Sequence, residues 1–271
     1  ISRVSNKIIK LLGDPNYVIQ GGSFHAMEYY TRTIIGSQVG DFWGYQVDGI
    51  FQSQDEVDAL TYSDDNGQTQ LTYGPTVGPG DYRFVDQNED GQINEEDKVK
   101  IGSPYPDFTM GFTGDLSYKG FDLNIFLYWN YGNEIFNTVK VFTETPYEQT
   151  NMSSYMLTDA WRPDNTNATI AQLGGDRQNN YSRASDAYIE DGSFLRFKNI
   201  SLGYTIPENL SRKANIEKLR FYVALQNYFT ISKYSGRDPE LGSTWGVFVQ
   251  KADLGNYTIP KTLNFGINAT F

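Results

Sequence analysis

The sequence predicts an all-β fold of antiparallel strands, and three observations support this. Apolar and polar residues alternate with a period of two in five segments, which is typical of strands with one apolar face. Aromatic residues make up 15 % of the 271 residues, and 26 residues are Gly. With a mean hydropathy of −0.51, this composition favours strands over helices. Short turns and long polar loops connect the five segments.

Composition excludes several classes of protein and site. The chain has no Cys and one His, so disulfides, thiolate nucleophiles, Cys-ligated metals and His clusters are ruled out. A formal charge of −11 argues against a nucleic-acid partner, because such proteins neutralise phosphates. No apolar run approaches the ~18 residues of a membrane-spanning helix. The first twelve residues lack the pattern of a signal peptide and suggest a chain entered within a strand.

The strands follow from the alternation, taken in chain order. The five segments are 108–118, 121–131, 194–206, 217–231 and 258–271. A tight Lys119-Gly120 turn joins the first two into a hairpin, whose arms of about ten residues are long enough to cross a bilayer at a tilt. One to three further strands are expected within Ile1–Leu12 and Tyr29–Phe51.

The alternation also predicts which residues share the apolar face. These are the odd residues of 121–131, 219–231 and 263–271 and the even residues of 108–118 and 200–206. If successive strands are antiparallel, the Lys119-Gly120 turn and the chain's last residue lie at the same end of the strands, where the short turns are.

Two readings of this pattern stay open on the residues alone. Long loops at 52–105, 132–188 and 232–257 on one side, with short turns on the other, are the asymmetry of a transmembrane β-barrel. A soluble β-sandwich alternates in the same way. The barrel is favoured because the polar faces carry mostly Gly, Thr, Ser, Asn and Gln, and because aromatic residues cluster at strand ends.

Residues 86–97 match a twelve-residue calcium loop. Oxygen ligands fall at loop positions 1, 3, 5, 7 and 12, and Gly91 permits the turn at position 6. The predicted ligands are Asp86, Asn88, Asp90, Gln92 through its carbonyl, and Asp97. Asp97 stands where sensor loops have Glu, and its shorter side chain is expected to lower the affinity for calcium. Because no amphipathic helix precedes the loop, we expect a structural site rather than a switch. A solvated acidic turn is the alternative.

No catalytic arrangement stands out in the sequence. His25 is the single imidazole and lacks the context of a nucleophile elbow, so we interpret it as an ordinary polar residue. Arg196 and Lys198 are interpreted as charges at the rim of the barrel. An enzyme is therefore not expected.

Several segments, in order, resemble the C-terminal part of the SusC/RagA family of TonB-linked outer-membrane proteins. Gly40–Phe51 is similar to the family's Gly-Tyr-x-x-Asp-Gly-Ile-Phe segment, and Glu190–Tyr204 is the most specific match. The other matching segments are 80–108, 161–165, 226–229, 234–240 and 257–271.

The resemblance implies an antiparallel transmembrane β-barrel of about 22 strands with an N-terminal plug, in the outer membrane of a Gram-negative bacterium. It implies import of oligosaccharides or peptides, driven by TonB and capped by a SusD-like lipoprotein. Residues 1–271 would be the C-terminal part of the barrel, without the plug, the TonB-binding region and the early strands, and would contact outer-membrane lipid. Phe271 resembles the terminal aromatic residue that the barrel-assembly machinery reads.

A rival hypothesis is a soluble or surface carbohydrate-binding β domain without transport activity. A plug region with a TonB-binding segment upstream, and a neighbouring gene for a SusD-like lipoprotein, would favour the transporter.

Overall fold

A computed structural model describes residues 1–3, 8, 13–14, 16–23, 27–144, 151–242 and 245–271. The described residues form sixteen strands, of which five are long and lie in one sheet. The strands are β1 (Ile19–Gly21), β2 (Thr31–Thr33), β3 (Asp41–Gly44), β4 (Val47–Ile50), β5 (Thr61–Ser63), β6 (Thr69–Leu71), β7 (Tyr82–Phe84), β8 (Val99–Gly102), β9 (Phe108–Tyr118), β10 (Phe121–Tyr131), β11 (Glu134–Asn137), β12 (Ile189–Asp191), β13 (Phe194–Thr205), β14 (Lys218–Ser232), β15 (Ala252–Asp253) and β16 (Thr262–Thr270).

Helices are few and short. The α-helices are α1 (Gln54–Asp58), α2 (Thr138–Thr143), α3 (Met156–Asp159), α4 (Arg177–Asn180) and α5 (Glu208–Ser211), and single 3₁₀ turns cover Glu95–Asp97, Asp186–Tyr188 and Arg212–Ala214. Among the residues described, none of these helices has the length and apolar character needed to cross a membrane.

The large sheet has the strand order β16-β14-β13-β10-β9, and every neighbouring pair is antiparallel. The predicted hairpin is confirmed, since Phe121 pairs with Tyr118 across the two-residue turn. Lys119 and Gly120 both have positive φ, 47° and 87°, which is the geometry of a tight hairpin turn whose twist matches that of the strands. We call the end of the strands at which this turn lies the turn end, and the other end of the strands the loop end.

The strand register confirms the predicted apolar face. Leu123 of β10 pairs with Leu116 of β9 and with Leu202 of β13, and Val223 of β14 pairs with Leu202 and Phe265. Because paired residues point to the same side of a sheet, odd and even positions from antiparallel neighbours combine into one apolar surface.

A β-bulge at Lys198 changes this phase near the loop end. Beyond it, Leu127 pairs with Phe197 and Tyr128 with Arg196, so the odd residues of β13 join the apolar face there. A second irregularity lies opposite, at Asn227 of β14, whose φ is 54°. Because both strands are irregular at this level, the odd residues of β14 stay on the same face as the odd residues of β10 along the whole sheet. Arg196 of β13 is turned towards the polar face.

Other expected strands are shorter than predicted. The strands found within Tyr29–Phe51 are β2, β3 and β4, which have three or four residues. β2 and β3 are neighbours in a four-stranded sheet, and β4 pairs with β7 in a two-stranded one. Of Ile1–Leu12, the residues 4–7 and 9–12 lie outside the described residues, and Ser2 forms an isolated antiparallel bridge with Thr109 of β9. The last strand begins at Thr262 rather than at residue 258.

The long connections predicted as polar loops pack together at the loop end, and residues 27–51, within which strands were predicted, pack with them. We call the described parts of 27–107, 132–193 and 233–261 the loop unit. One buried cluster centres on Phe51, Val57 and Trp161, and a second centres on Tyr30, Phe42 and Phe136. These clusters show that the loop unit has hydrophobic cores of its own, because each brings together segments far apart in sequence.

Candidate functional site

The apolar face of the large sheet is bounded by aromatic rings at both ends. At the loop end, the ring of Phe108 lies 5.1 Å from that of Trp129 and 5.3 Å from that of Tyr131. At the turn end, four rings follow one another across neighbouring strands; they belong to Tyr118, Phe121, Tyr204 and Phe221. We call these two sets of rings the loop-end girdle and the turn-end girdle. Aromatic residues at both ends of the strands are what the sequence predicts.

The spacing of the girdles matches the apolar layer of a membrane. β10 has 11 residues and carries a girdle ring at each end, Phe121 and Tyr131, which places these about 33 Å apart along the strand. At the ~40° tilt of barrel strands this corresponds to a height of about 25 Å, the usual apolar band of an outer-membrane barrel. Between the girdles several apolar side chains are exposed, among them Leu116, Leu202 and Phe265, the last of which is 78 % exposed.

The opposite face of the sheet carries a hydrogen-bonded polar ladder. Arg220 of β14 reaches across β13 to Asp122 of β10, with 2.9 Å between Nε and Oδ1. The strand it crosses has Gly203 at that level, where a Cβ would lie 2.3 Å from the guanidinium. Asn124 donates to Asp115 at 2.7 Å and accepts from Asn199 at 2.8 Å.

Aromatic rings on the polar face also lie against glycines. A Cβ at Gly266 would come within 2.2 Å of the ring of Tyr222, and one at Gly111 would touch the ring of Phe126 at 3.4 Å. Glycine thus lets these rings lie along the sheet. The polar face therefore offers amides, charges and flat rings, which are groups suited to a hydrated polar solute.

At the loop end of the polar face lies a buried group of charges. Arg196 is 3 % exposed, and its guanidinium donates to Asp238 at 2.5 Å, to Glu240 at 2.6 Å and to Thr230 at 2.9 Å. Lys198 donates to both carboxylate oxygens of Glu240, at 2.6 and 2.7 Å.

This network corrects the interpretation of Arg196 as a charge at the barrel rim. Its side chain is buried because the segment that follows β14 folds back onto it. The sequence contains the acids, Asp238 and Glu240, but no local signal pairs them with a residue 42 or 44 positions earlier. Lys251 joins the group by donating to the carbonyl of Pro239 at 3.4 Å, and burial lowers the pKa of its ammonium.

The predicted calcium loop forms a tight turn against the loop unit. Asp86 accepts from the N–H of Gly91 at 2.7 Å, and Gly91 has a φ of 82°. Asn88 accepts from the N–H of Asp90 at 3.1 Å, and Asp90 accepts from the N–H of Gln92 at 2.7 Å. The side chains at loop positions 1, 3 and 5 therefore bond to N–H groups of the loop itself.

Asp97, the predicted closing ligand, is fully buried. Its carboxylate accepts from the N–H of Gln87 at 2.8 Å and from the N–H of Asn94 at 2.7 Å. Ile93 inserts into the cluster around Phe51. Within the described ranges, no three acidic or His side chains are gathered as a metal-binding group. The loop is thus closed by its own hydrogen bonds, with Asp97 turned to backbone N–H groups.

Side chains also close the free edge of the small β4–β7 sheet. Asn180 accepts from the N–H of Tyr82 at 2.9 Å, Asn179 donates to the carbonyl of Tyr82 at 2.7 Å, and the hydroxyl of Tyr73 bonds to both backbone groups of Phe84. These side chains replace a neighbouring strand. Beside them lies a cleft of about 660 Å³, whose lining includes Tyr73 and the Arg83–Asp48 ion pair.

Two further residues that the sequence singled out are His25 and Phe271. His25 lies outside the described residues. Phe271 follows β16 and is 87 % exposed, and its role in assembly stays a prediction. Asp186, which the sequence did not single out, accepts from the N–H of Val47 at 2.9 Å. Burial raises the pKa of its carboxyl above the ordinary value.

Comparison with known proteins found relatives along the whole chain, and no family model matches it. The chain is 32 % identical over 279 residues to TonB-dependent receptor P3 of Formosa agariphila, a match that covers all of this chain and 26 % of the relative. It is 31 % identical over 273 residues to TonB-dependent receptor SusC of Bacteroides thetaiotaomicron, covering 98 % of this chain and 23 % of SusC. The chain therefore spans about a quarter of the length of the curated relatives it matches.

Among solved structures, the RagAB peptide transporter has a chain with a TM-score of 0.67 to this fold. The sequences are 24 % identical, and the match covers 89 % of this chain and 24 % of the other. The structure of the RagAB peptide importer in the open-open state gives a TM-score of 0.66. At this sequence identity, both structures show a similarity of fold alone.

Proposed function

Because the chain belongs to the SusC/RagA family of TonB-dependent receptors, we propose that it forms part of the wall and outer loops of a nutrient importer. Members of this family are outer-membrane proteins of Gram-negative bacteria, so the chain is an outer-membrane segment. Its relatives are receptors rather than enzymes. The substrates we propose are oligosaccharides or peptides, taken up by the complete receptor.

The observation that carries the proposal is the two-faced sheet. Its apolar face is bounded by girdles at the height of a membrane's apolar layer, and its polar face carries the Asp122–Arg220 pair and the Asn124 ladder. In a closed barrel the polar face would line the interior, where its amides and charges can exchange hydrogen bonds with a hydrated solute. A soluble domain would leave apolar side chains such as Leu116 and Phe265 in water.

The loop unit would form the outer mouth of this passage. It is joined to the large sheet by the Arg196 network, and it has its own buried clusters. A packed unit of this kind can present a fixed surface to another protein. We propose that the partner there is a SusD-like surface lipoprotein and that TonB engages the complete receptor through its N-terminal region.

Uptake by living cells tests this function. In the native bacterium, the receptor gene would be replaced by one in which Asp122 and Arg220, on the polar face, are both changed to Leu. We expect reduced growth on the oligosaccharide or peptide mixture that the receptor imports, with normal growth on glucose. Deleting the gene for TonB or for the neighbouring lipoprotein should abolish the same uptake. Unchanged growth of the gene-deletion strain on every oligosaccharide and peptide mixture would contradict the proposal.

We also propose that residues 86–97 bind calcium at a structural site. The support is the ligand spacing and the tight turn at Gly91, with Asp86, Asn88 and Asp90 on one short loop. Calcium would take the oxygens that now accept from loop N–H groups, together with the carbonyl of Gln92.

Calorimetry of the metal-stripped receptor tests the calcium site. We expect binding heat that is lost in the Asp86→Asn/Asp90→Asn variant and kept in Asp65→Asn, an exposed acid outside the loop. The absence of heat at millimolar calcium would contradict the proposal.

A further inference from the structure

Two aromatic rings lie on the polar face of the large sheet, away from both girdles. They belong to Phe126 of β10 and Tyr222 of β14, and both residues are half-buried. Each ring lies against a glycine of the neighbouring strand, Phe126 against Gly111 and Tyr222 against Gly266. Part of each ring stays open on the side that would face the interior of a closed barrel. Apolar surface in a hydrated passage is stabilised when a solute covers it.

The strand register gives the distance between the two rings. Phe126 pairs with Asn199 of β13, and Tyr222 pairs with Gly203 of the same strand. Because β13 lies between β10 and β14, the two positions are two strand spacings apart across the sheet and four residues apart along it. At about 4.8 Å per strand and about 3.3 Å per residue, their Cα atoms are about 16 Å apart. A chain of several sugar units can cover both rings, whereas a single sugar reaches only one.

Polar groups with unused hydrogen-bonding capacity lie between the rings. Ser201 of β13 lies midway and pairs with Asn124 of β10. In the described part of the chain, no hydrogen bond engages the Ser201 hydroxyl or the amide oxygen of Asn199, whose nitrogen donates to Asn124 at 2.8 Å. Within the same ranges, Arg220 uses Nε and Nη2 on Asp122, at 2.9 and 2.5 Å, and keeps Nη1 free of hydrogen bonds. These groups can both donate to and accept from hydroxyls.

The charges on this part of the polar face compensate one another. Asp122 is paired with Arg220, and Asp115 accepts from Asn124 at 2.7 Å. Lys218 lies on the same face as Arg220 and close enough to Asp122 to interact with its charge. The two carboxylates and the two cations sum to zero, so this part of the face complements a neutral solute better than a charged one.

The backbone of the sheet explains why a peptide fits this face less well. β10, β13 and β14 each pair with a strand on both sides, so their N–H and C=O groups bond to one another. Peptides are commonly held by adding a strand to a free edge or by pairing their charged groups, and this face offers neither. A sugar unit needs only side chains, because its apolar face can lie on an aromatic ring while its hydroxyls bond to amides and charges.

We propose that Phe126 and Tyr222 form a track for a neutral oligosaccharide on the polar face. Two sugar units lie on the two rings, and hydroxyls between them bond to Ser201, Asn199 and Arg220. The inference rests on the transport function proposed above and selects oligosaccharides from its two classes of substrate.

Receptor-dependent growth of the native bacterium tests the class of solute. Wild-type and receptor-deletion strains would be grown on neutral malto-, xylo-, manno- and fructo-oligosaccharides, on acidic oligogalacturonides and on a casein peptide digest, each as a separate source. We expect the deletion to slow growth on at least one neutral oligosaccharide and on neither of the charged sources. Dependence on the peptide digest or the oligogalacturonides alone would contradict the track and leave the transport function standing. Dependence on none of the sources would contradict both.

Variants of the two rings then assign the site, with the neutral oligosaccharide that growth identifies. Phe126→Leu/Tyr222→Leu should raise the concentration that half-saturates uptake about tenfold, which corresponds to about 1.4 kcal/mol. Phe126→Tyr/Tyr222→Phe keeps both rings and should retain uptake. The matched control is Phe265→Leu, which removes an exposed ring from the apolar face of the same sheet and should leave uptake unchanged.

A length preference separates a solute contact from a structural role. In the wild type, a pentasaccharide should compete for uptake about tenfold better than the disaccharide of the same sugar, and the Leu variant should lose this preference. Uptake is compared per folded receptor in outer-membrane fractions, so that a change in assembly is not mistaken for a change in binding. An unchanged length preference in the Leu variant, or an equal change in the Phe265 control, would overturn the inference.

Discussion

Arg196 of β13 and Asp238, which lies in the loop after β14, are 42 residues apart in sequence. Their side chains nevertheless meet at 2.5 Å, and both are buried. This contact and the adjoining bonds to Glu240 fasten the segment after β14 onto the polar face of the sheet. The outer mouth of the proposed passage therefore has a fixed wall at this position.

The first prediction concerns this buried pair. Arg196→Met leaves Asp238 and Glu240 without their main partner, and breaking a buried ion pair from one side costs about 3–5 kcal/mol. We expect the segment to detach locally and chymotrypsin to cut after Tyr234, whose ring is buried in the wild-type protein. Lys233→Met, at an exposed neighbouring position, should keep the wild-type cleavage pattern. Full protection of Tyr234 in the Arg196 variant would contradict this account.

The second prediction concerns Gly203. A side chain there would occupy the space through which Arg220 reaches Asp122. We expect Gly203→Val to destabilise the folded receptor by about 1–3 kcal/mol, the usual cost of overpacking. The measurement is the temperature at which the purified receptor loses its fast-migrating folded band on a gel. Gly114→Ala is the control, because a Cβ at that position meets only the Phe112 ring at 3.4 Å; an equal effect of both changes would be evidence against the crossing.

The third prediction uses two neighbours on β16. Leu263 lies on the apolar face near the middle of the sheet, and Asn264 lies on the polar face. An Arg that faces lipid near the membrane midplane costs about 2–4 kcal/mol, whereas one in the barrel interior is tolerated. Leu263→Arg should therefore lower the amount of folded receptor in outer-membrane fractions, and Asn264→Arg should not. The reverse ranking would show that the two faces have been assigned the wrong way round.

The fourth prediction concerns pH and Asp186. Burial raises the pKa of this carboxyl in the folded state, so folding favours its protonated form. The full stability contribution is present below the ordinary pKa of an Asp and is lost as pH rises through the raised value. Asp186→Asn keeps an acceptor for the N–H of Val47 and should stabilise the loop unit at pH 7.5 more than at pH 4.

Pulse proteolysis of the full-length receptor, after heating at each pH, measures this effect. Asp65→Asn removes an exposed carboxylate and should change the unfolding temperature equally little at both values. A stabilisation by Asp186→Asn that is the same at pH 4 and pH 7.5 would contradict the assignment.

The strands of the large sheet were predictable because their signal is local. Alternation within 121–131 is enough to assign Leu123 and Ile125 to one face, and the register with β9 confirms that assignment. The turn at Lys119-Gly120 was predictable for the same reason, since its chemistry lies in two adjacent residues.

What the sequence did not reveal depends on contacts between distant segments. The bulge at Lys198 moves Phe197 onto the apolar face, and nothing in the alternation marks the extra residue. The clusters around Phe51 and Tyr30 join parts of 29–51, where strands were predicted, to segments that were predicted as polar loops. For the predicted calcium ligands, the sequence predicted the turn at Gly91 but not the burial of Asp97 against N–H groups.

The central claim is that the large sheet spans the outer membrane with its odd β16 residues towards lipid. Single cysteines can be placed at each position from 262 to 270, because these 271 residues contain none, in a full-length receptor without other reactive cysteines. Spin labels on them would report collisions with oxygen, which is concentrated in lipid, and with a water-soluble nickel complex. We predict oxygen maxima at 263, 265, 267 and 269, out of phase with the nickel maxima at even positions. Oxygen maxima at the even positions, or no alternation at all, would contradict the account.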